Sequence, residues 1–112
     1  MDYSEIAKRN TENQDNYILS EYGTFDKFYD EIKEGSTIVV PIDCLVPRTK
    51  REWDEAAPGL SQTDELIEVT FDKLVCDESS RKAEFVIWDG HNRYKDKIDK
   101  GEKHINVRIK NV

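Results

Sequence analysis

The sequence predicts an α+β fold, a single small domain that combines a mixed β-sheet with helices. Phe85–Trp88 is a continuous apolar run of the length of a buried strand, and a charged, helix-like segment follows it. Residues 104–109 alternate between polar and apolar side chains, as in a half-buried strand. Residues 24–34 carry aromatic side chains at helical spacing. The 112 residues are enough for one modest core and not for two.

The first 23 residues show no clear period. Scattered apolar side chains surround a polar centre, NTENQDN, at residues 10–16. This composition predicts a short helix followed by a loop, or a flexible arm. We therefore divide the chain into an N-terminal arm or short helix over 1–23 and an α+β domain over 24–112.

Residues 24–34 form the best-marked helix of the first half. Thr24 is a typical N-cap residue, and Gly35 is placed to end the helix. The apolar stripe between them indicates a face that packs on the core, and it consists of Phe25, Phe28, Tyr29 and Ile32. The β-branched residues that follow predict a strand over Thr37–Val40.

Residues 48–63 are predicted to form a loop, because they are rich in polar and turn-forming residues. The basic residues Arg48, Lys50 and Arg51 precede Trp53 in this loop. Such a group can bind a phosphate and stack a base. The alternative, which we favour, is a surface turn with Trp53 packed on the core.

Two further strands are expected before the chain reaches residue 89. Residues 66–76 alternate at first and then change phase, which indicates one strand with a bulge or a strand and a turn. A polar connector over 77–82 separates apolar segments on either side. Residues 74–88 are therefore predicted to form a hairpin.

The most informative segment is the sequence DGHNR, Asp89–Arg93, between the apolar strand and a helix predicted over 92–100. Tyr94 and Ile98 lie at helical spacing, and Gly101 is placed to end the helix. The strand–turn–helix unit thus spans about residues 85–100. Unpaired backbone N–H groups and the positive end of the helix dipole favour an anion such as phosphate at its turn.

Each residue type in this turn suits the handling of a phosphate. Gly90 allows a tight turn or the close approach of a ligand. Arg93 offers a planar fork for phosphate oxygens, and His91 can move a proton near neutral pH. Asp89 can orient His91 or hold a metal ion beside a phosphate.

We assign Asp89 and His91 to catalysis. Phosphate or nucleotide binding is assigned to Gly90, Asn92, Arg93 and Arg48. Glu68 and Asp72 could join Asp89 around a metal ion, but nothing in their spacing requires it. No residue is therefore assigned as a metal ligand.

The sequence DGHNRY, the lysine-rich helix, Gly101 and the strand HINVRI resemble the "DGHHR…A…G…(I/V)PV" signature of the ParB/sulfiredoxin superfamily, which includes ParB-like nuclease domains. Ile38–Pro47 is similar to the opening strand and turn of those domains. The resemblance covers about residues 37–112. It implies a sulfiredoxin-like fold that binds a nucleotide, ATP or CTP with Mg²⁺, or a nucleic-acid phosphate such as that of DNA. It also implies nuclease, nucleotide-hydrolase or phosphotransfer activity.

Two departures from the family pattern argue against two functions that occur in this superfamily. Sulfiredoxins carry a cysteine in a GCHR turn, and this chain has GHNR at residues 90–93, so sulfiredoxin-type reduction is not expected. Chromosome-partitioning ParB proteins use a GERR-type motif and a following helix-turn-helix domain. Neither is expected here, and centromere binding of the partition type is not predicted.

The formal charge of −7 opposes a simple nucleic-acid binder, because affinity for a phosphate backbone depends on lysine and arginine. The charge is unevenly placed. The first 78 residues are acidic, whereas residues 91–110 hold seven lysine and arginine residues against three aspartate and glutamate residues. A local basic face can therefore coexist with an acidic body.

Two alternatives stay open. In the first, the turn has no ligand: Asp89 caps the helix, Arg93 pairs with an acidic neighbour, and His91 is exposed. In the second, the chain is a non-catalytic acidic protein-binding module of phage, plasmid or other mobile-element origin. Such a module would act as an inhibitor or DNA mimic toward a basic protein partner, and it would show a contiguous acidic patch.

The remaining sequence features predict a cytoplasmic protein that does not enter a membrane. No segment approaches the roughly 18 apolar residues of a membrane span, and the N-terminus lacks a signal-peptide pattern. Cys44 and Cys76 are too few and too far apart to indicate a disulfide framework or a zinc site. The sequence leaves the oligomeric state open.

Overall fold

The computed structural model describes residues 2–60, 66–70, 74–75, 82–83 and 85–110. Its helices are α1 (Tyr3–Tyr22), α2 (Phe25–Glu31), α3 (Lys50–Glu55) and α4 (His91–Asp99). Its strands are β1 (Thr37–Pro41), β2 (Ile67–Thr70), β3 (Leu74–Val75), β4 (Lys82–Ala83), β5 (Val86–Asp89) and β6 (His104–Ile109). None of the described helices is long and apolar enough to cross a membrane.

Within the described residues, four strands form a mixed sheet in the order β1-β6-β2-β5. β1 pairs antiparallel with β6, and β5 pairs antiparallel with β2, whereas β2 and β6 run parallel. A bridge between Val46 and Val86 adds backbone hydrogen bonds at the outer edge of β5. The predicted α+β class with a mixed sheet is confirmed.

The core joins one face of this sheet to the helices. β6 shows the predicted alternation, because Ile105, Val107 and Ile109 are buried and the residues between them are exposed. Phe28 of α2 packs edge to face on Phe85, with 5.5 Å between the ring centroids. The opposite face of β6 is therefore polar and open to solvent.

Helix α1 corrects the prediction for the N-terminus. Residues 3–22 form one helix, not a short helix with a loop or a flexible arm. The buried stripe of this helix repeats every three or four residues and consists of Tyr3, Ile6, Ala7, Asn10, Thr11, Gln14 and Ile18. Because polar residues occupy the middle of the stripe, a search for apolar residues at helical spacing does not detect this helix.

The buried amides of α1 bind it to the rest of the domain. Asn10 Nδ2 donates to the Leu45 carbonyl at 2.7 Å and to the Tyr94 hydroxyl at 2.9 Å. Gln14 Nε2 donates to the Phe85 carbonyl at 3.2 Å. Buried polar groups need such partners, and these bonds fix α1 against α4 and the edge of the sheet.

Helix α2 begins as predicted and ends earlier than predicted. Thr24 Oγ1 caps it by accepting a hydrogen bond from the Lys27 N–H at 3.1 Å. The helix ends at Glu31 and not at residue 34, because Ile32 takes an extended conformation and is buried in the core. Gly35 follows in a turn with a φ of 82°.

Part of the expected loop over 48–63 is helix α3. Thr49 caps this helix by accepting a hydrogen bond from the Glu52 N–H at 3.1 Å. Trp53 is buried and lies against Tyr94, with 6.2 Å between ring centroids. The predicted packing of Trp53 on the core is confirmed.

The prediction of a hairpin over 74–88 is wrong for its second strand. β3 pairs with β4, whereas β5 pairs with β2. The apolar β5 lies between β2 and Val46, where Val86 and Ile87 are buried. β2 ends at Thr70, and the phase change expected within 66–76 lies partly outside the described residues.

Candidate functional site

Strand β5, one glycine and helix α4 form the predicted strand–turn–helix unit. Asp89 ends β5, and Gly90 occupies the N-cap position of α4 with a φ of 113° and no side-chain cap. Asp89 is therefore not the helix cap. A Cβ atom at Gly90 would lie 3.0 Å from Arg93 Nη2 and 3.2 Å from Ile67 Cγ1. Both the backbone angle and the packing thus require glycine.

His91 is buried, and both of its ring nitrogens are engaged. Nε2 accepts a hydrogen bond from the Arg48 backbone N–H at 3.1 Å, and Nδ1 lies 3.3 Å from Glu52 Oε2. Because Nε2 is an acceptor, the proton of the neutral ring is on Nδ1 and is directed to Glu52. His91 therefore connects α4 to the start of α3 and is not exposed.

Glu52 is the centre of this network. Its Oε1 accepts hydrogen bonds from Arg48 Nε at 2.7 Å and from Thr49 Oγ1 at 3.2 Å. Burial lowers the pKa of His91 and outweighs the opposite effect of the Glu52 charge. Burial by itself would raise the pKa of Glu52, but the hydrogen bond from Arg48 and the neighbouring positive charges hold that pKa below its usual value. At neutral pH the pair is a carboxylate and a neutral imidazole.

Asn92 and Arg93 contact different parts of the domain. Asn92 Oδ1 accepts a hydrogen bond from the Ala57 N–H at 3.0 Å. Arg93 Nη2 lies 3.4 Å from Asp89 Oδ2 and 3.5 Å from the Leu66 carbonyl. The Arg93 side chain is 13% exposed, whereas that of Asp89 is 63% exposed. If the turn has no ligand, Arg93 is expected to pair with an acidic neighbour, and Asp89 is such a neighbour.

The strand before the turn contains a β-bulge. Glu68 of β2 is opposite Asp89, and the next residue, Val69, is opposite Ile87. Trp88 is thus the extra residue on β5. A bulge changes the direction of a side chain relative to a regular strand, so Trp88 need not follow the core-facing pattern of its neighbours.

Two cations lie near the half-buried ring of Trp88. The Arg48 guanidinium carbon is 4.5 Å from the ring centroid, and Lys110 Nζ is 5.9 Å from it. Both distances are within the range of cation–π attraction. An aromatic ring beside two cations and a helix start forms a surface suited to a planar group that carries a phosphate.

The structure divides the predicted site residues between two places. Arg48 and His91 belong to the network at the start of α3. Asp89 and Arg93 form a separate ion pair, and Arg93 lines a cavity to which Arg48 does not contribute. Asn92 is used to hold the segment after α3.

Glu68 and Asp89 are the two metal-ligand candidates from the sequence that lie within the described residues. Glu68 is opposite Asp89 in the sheet. In the described part of the chain, however, no group of three or more His, Cys, Asp or Glu side chains is arranged to hold a metal ion. Asp72, the third candidate from the sequence, lies outside the described residues.

Three residues at the site were not identified from the sequence: Glu52, Trp88 and Lys110. A signal for Glu52 exists, because Thr49 and Glu52 form the T-x-x-E pattern of a capping box, which also indicates the start of α3. Trp88 has the sequence context of a buried strand residue. Its bulge depends on the register of β2 against β5, which is a nonlocal property.

No family model, curated protein or solved structure matches the chain. The ParB/sulfiredoxin relationship therefore stays a prediction from the motif.

Proposed function

We propose that this domain binds a nucleotide or a nucleic-acid phosphate beside the DGHNR turn, as the ParB/sulfiredoxin resemblance implies. The observation that carries the proposal is the position of the Trp88 ring, close to Arg48 and Lys110 and three residues before the start of α4. Because the Arg48 guanidinium lies over the ring, a base would stack on the guanidinium plane or on the exposed part of the ring. The two cations and the first N–H groups of α4 favour a phosphate.

The hydrogen-bond network supports this role for Arg48. Glu52 holds Arg48 Nε, and His91 accepts from the Arg48 backbone N–H. A guanidinium fixed over Trp88 loses less conformational freedom on binding than a mobile one. In this arrangement His91 positions Arg48, and a role as general base would require it to release one of its two contacts.

Titration of thermal stability tests the binding step. The ligands are ATP, CTP, GTP and a short single-stranded DNA, each with and without Mg²⁺. A ligand at about a hundred times its dissociation constant adds roughly 2.7 kcal/mol of stability, which raises the melting temperature of a small domain by several degrees. We expect such a shift with at least one of these ligands.

Matched variants locate the binding surface. Trp88→Leu should weaken binding by roughly 1–3 kcal/mol, the contribution of base stacking, whereas Trp88→Phe should retain most of it. Lys110→Gln should also weaken binding. Lys100→Gln removes the same charge at the far end of α4 and should not. Unchanged affinity in folded Trp88→Leu and Lys110→Gln proteins would exclude this surface.

Catalysis by Asp89 and His91 is a separate part of the proposal. Release of inorganic phosphate from the bound nucleotide, transfer of phosphate to an acceptor, and cleavage of the DNA strand, all with Mg²⁺ present, measure the three activities that the resemblance implies. Asp89→Asn changes an exposed carboxylate and should abolish activity while leaving binding intact. Equal activity in the variant and the original protein would remove Asp89 from the mechanism.

Helix α3 does not favour the acidic protein-binding alternative. Ion pairs four residues apart match each of its carboxylates with a cation, and they join Arg48 to Glu52, Lys50 to Asp54 and Arg51 to Glu55. A DNA mimic needs carboxylates that are not neutralised in this way. The absence of any shift in the titration would return attention to a basic protein partner.

A further inference from the structure

A cavity of about 290 Å³ lies between α4 and the beginnings of the parallel strands β2 and β6. Its polar lining consists of Arg93, Lys97, Glu102, His104 and Asn106, and its apolar part includes Ile67. Neither Trp88 nor either of the cations near its ring contributes to this lining. The cavity therefore does not depend on the surface of the proposed function.

The two cations of this cavity come from one face of α4. Arg93 and Lys97 are four residues apart, so their side chains are neighbours on the helix surface. Like charges at this spacing repel each other. Only one carboxylate, that of Glu102, contributes to the described lining. An anion between the two cations would relieve their repulsion.

The Arg93–Asp89 and Lys97–Glu102 ion pairs are longer than strong charge-assisted hydrogen bonds. Arg93 Nη2 lies 3.4 Å from Asp89 Oδ2, and Lys97 Nζ lies 3.7 Å from Glu102 Oε2. Charge-assisted contacts of this type are typically about 2.7–2.9 Å. Both acidic side chains are at least 40% exposed, and exposed pairs contribute little free energy. A ligand oxyanion can therefore compete with these two acidic side chains.

Strand β6 adds hydrogen-bonding groups to the opposite wall. His104 and Asn106 are two residues apart, so they lie on the same face of the strand, and that face is exposed. The Asn106 amide offers two N–H donors, and a histidine ring offers at least one. Donors thus outnumber acidic groups in the described lining of the cavity.

We infer that this cavity binds a small oxyanion, the carboxylate or phosphate group of a small molecule. Its volume is near the lower limit of roughly 300 Å³ for ligand pockets. That size suits a compound with a few carbon atoms better than a nucleotide. The apolar wall at Ile67 accommodates the carbon part of such a ligand.

Nuclear magnetic resonance titrations with sodium phosphate and, separately, sodium acetate test the inference. Sodium chloride keeps the ionic strength constant, so that general screening does not imitate binding. We expect saturable shifts of the backbone amide signals of Lys97, His104 and Asn106. Saturation with phosphate alone identifies a phosphate site, and saturation with acetate identifies a site that accepts carboxylates.

Two pairs of variants with matched charge changes complete the test. Lys97→Gln and Asn106→Asp should each lower the affinity about ten-fold or more, because a charge-assisted contact is lost or a negative charge is introduced. Lys100→Gln and Asn16→Asp make the same charge changes outside the cavity and should leave the affinity unchanged. All four positions lie on exposed or partly exposed parts of the described elements, so the fold is expected to persist.

Three results would overturn the inference. The first is a linear shift with no saturation for either anion. The second is equal affinity in Lys97→Gln and the original protein. The third is a set of saturable shifts confined to Trp88, Gly90 and Lys110, which would assign the anion to the surface of the proposed function.

Discussion

His91 connects the DGHNR turn to α3. It accepts the Arg48 N–H and faces the Glu52 carboxylate from a buried position. A histidine in a phosphate-binding motif is usually considered for proton transfer near neutral pH. Here its burial keeps the ring neutral, and both nitrogens serve the packing of two helices.

Lowering the pH from about 7 to about 5.5 should reduce the free energy of unfolding. The pKa of His91 in the folded protein is below its ordinary value of 6.5, so the unfolded chain takes up the proton first as the pH falls. The contribution of His91 to the free energy of unfolding is complete above pH 6.5, its ordinary pKa, and decreases as the pH falls below 6.5. Glu52, whose pKa is also lowered, loses its contribution only at more acidic pH. Urea denaturation at the two pH values measures the effect.

Two histidine variants separate His91 from the rest of the chain. His91→Gln removes the titrating ring and should show a smaller dependence on pH over this interval. His104→Gln changes an exposed residue of β6 and should retain the dependence of the original protein. The same dependence in His91→Gln and the original protein would contradict the assignment.

Gly90→Ala should destabilise the domain more than Gly101→Ala. Both glycines have a positive φ, which costs an alanine roughly 1–2 kcal/mol. At Gly90 the new Cβ would also meet Arg93 and Ile67, whereas at Gly101 nothing lies within 4 Å. We expect a total of about 2–3 kcal/mol at Gly90, measured by urea denaturation. Equal losses at the two positions would show that the contacts at Gly90 are relieved by a small movement of Arg93.

At the scale of elements, α1 shows how a helix can be fixed by polar groups. The middle of its buried face is made of amide and hydroxyl side chains, and Asn10 reaches both Leu45 and Tyr94. Tyr94 lies on α4, so α1 supports the helix that follows the DGHNR turn. The candidate site therefore depends on an element far from it in sequence.

Asn10→Ala should lower the free energy of unfolding by about 2–3 kcal/mol. The substitution removes a buried amide that donates two hydrogen bonds, and it leaves a cavity beside the Leu45 carbonyl. Asn13→Ala removes an exposed hydrogen bond to the Asp43 carbonyl and should cost less than about 0.5 kcal/mol. Chemical denaturation of both variants gives the comparison. Similar small losses would mean that α1 is held by its apolar residues alone.

At the scale of the whole molecule, the sheet and the helices share one core. Tyr3 and Ile18 of α1, Phe28 of α2 and Val107 of β6 all belong to the same cluster of buried residues. A domain with a single core generally unfolds in one cooperative step. Residues 2–23 are therefore not expected to behave as a separate unit.

Thermal or urea unfolding should show coincident transitions for different probes. Far-ultraviolet circular dichroism reports mainly on the helices, of which α1 is the longest described one. Tryptophan fluorescence reports on Trp53 in α3 and Trp88 in β5. Because α1 contributes to the shared core, we expect equal midpoints within experimental error. An earlier transition in circular dichroism alone would show that α1 unfolds independently.

Local sequence signals were enough to predict several elements of the fold. Apolar alternation predicted β6, the N-cap at Thr24 and the aromatic stripe predicted α2, and the DGHNR turn predicted the start of α4. These signals suffice because each depends on residues that are close to one another in the sequence. The α+β class followed from the same elements.

Features that depend on contacts between distant residues could not be predicted from the sequence. The polar face of α1 is buried only because Leu45, Phe85 and Tyr94 accept or share its hydrogen bonds. The pairing of β5 with β2 creates the bulge at Trp88. Arg48 and Arg93, both predicted to bind phosphate, are held by different partners on different elements. Such contacts depend on the register of strands and the packing of helices. Neither can be read from the pattern of residues in one short segment.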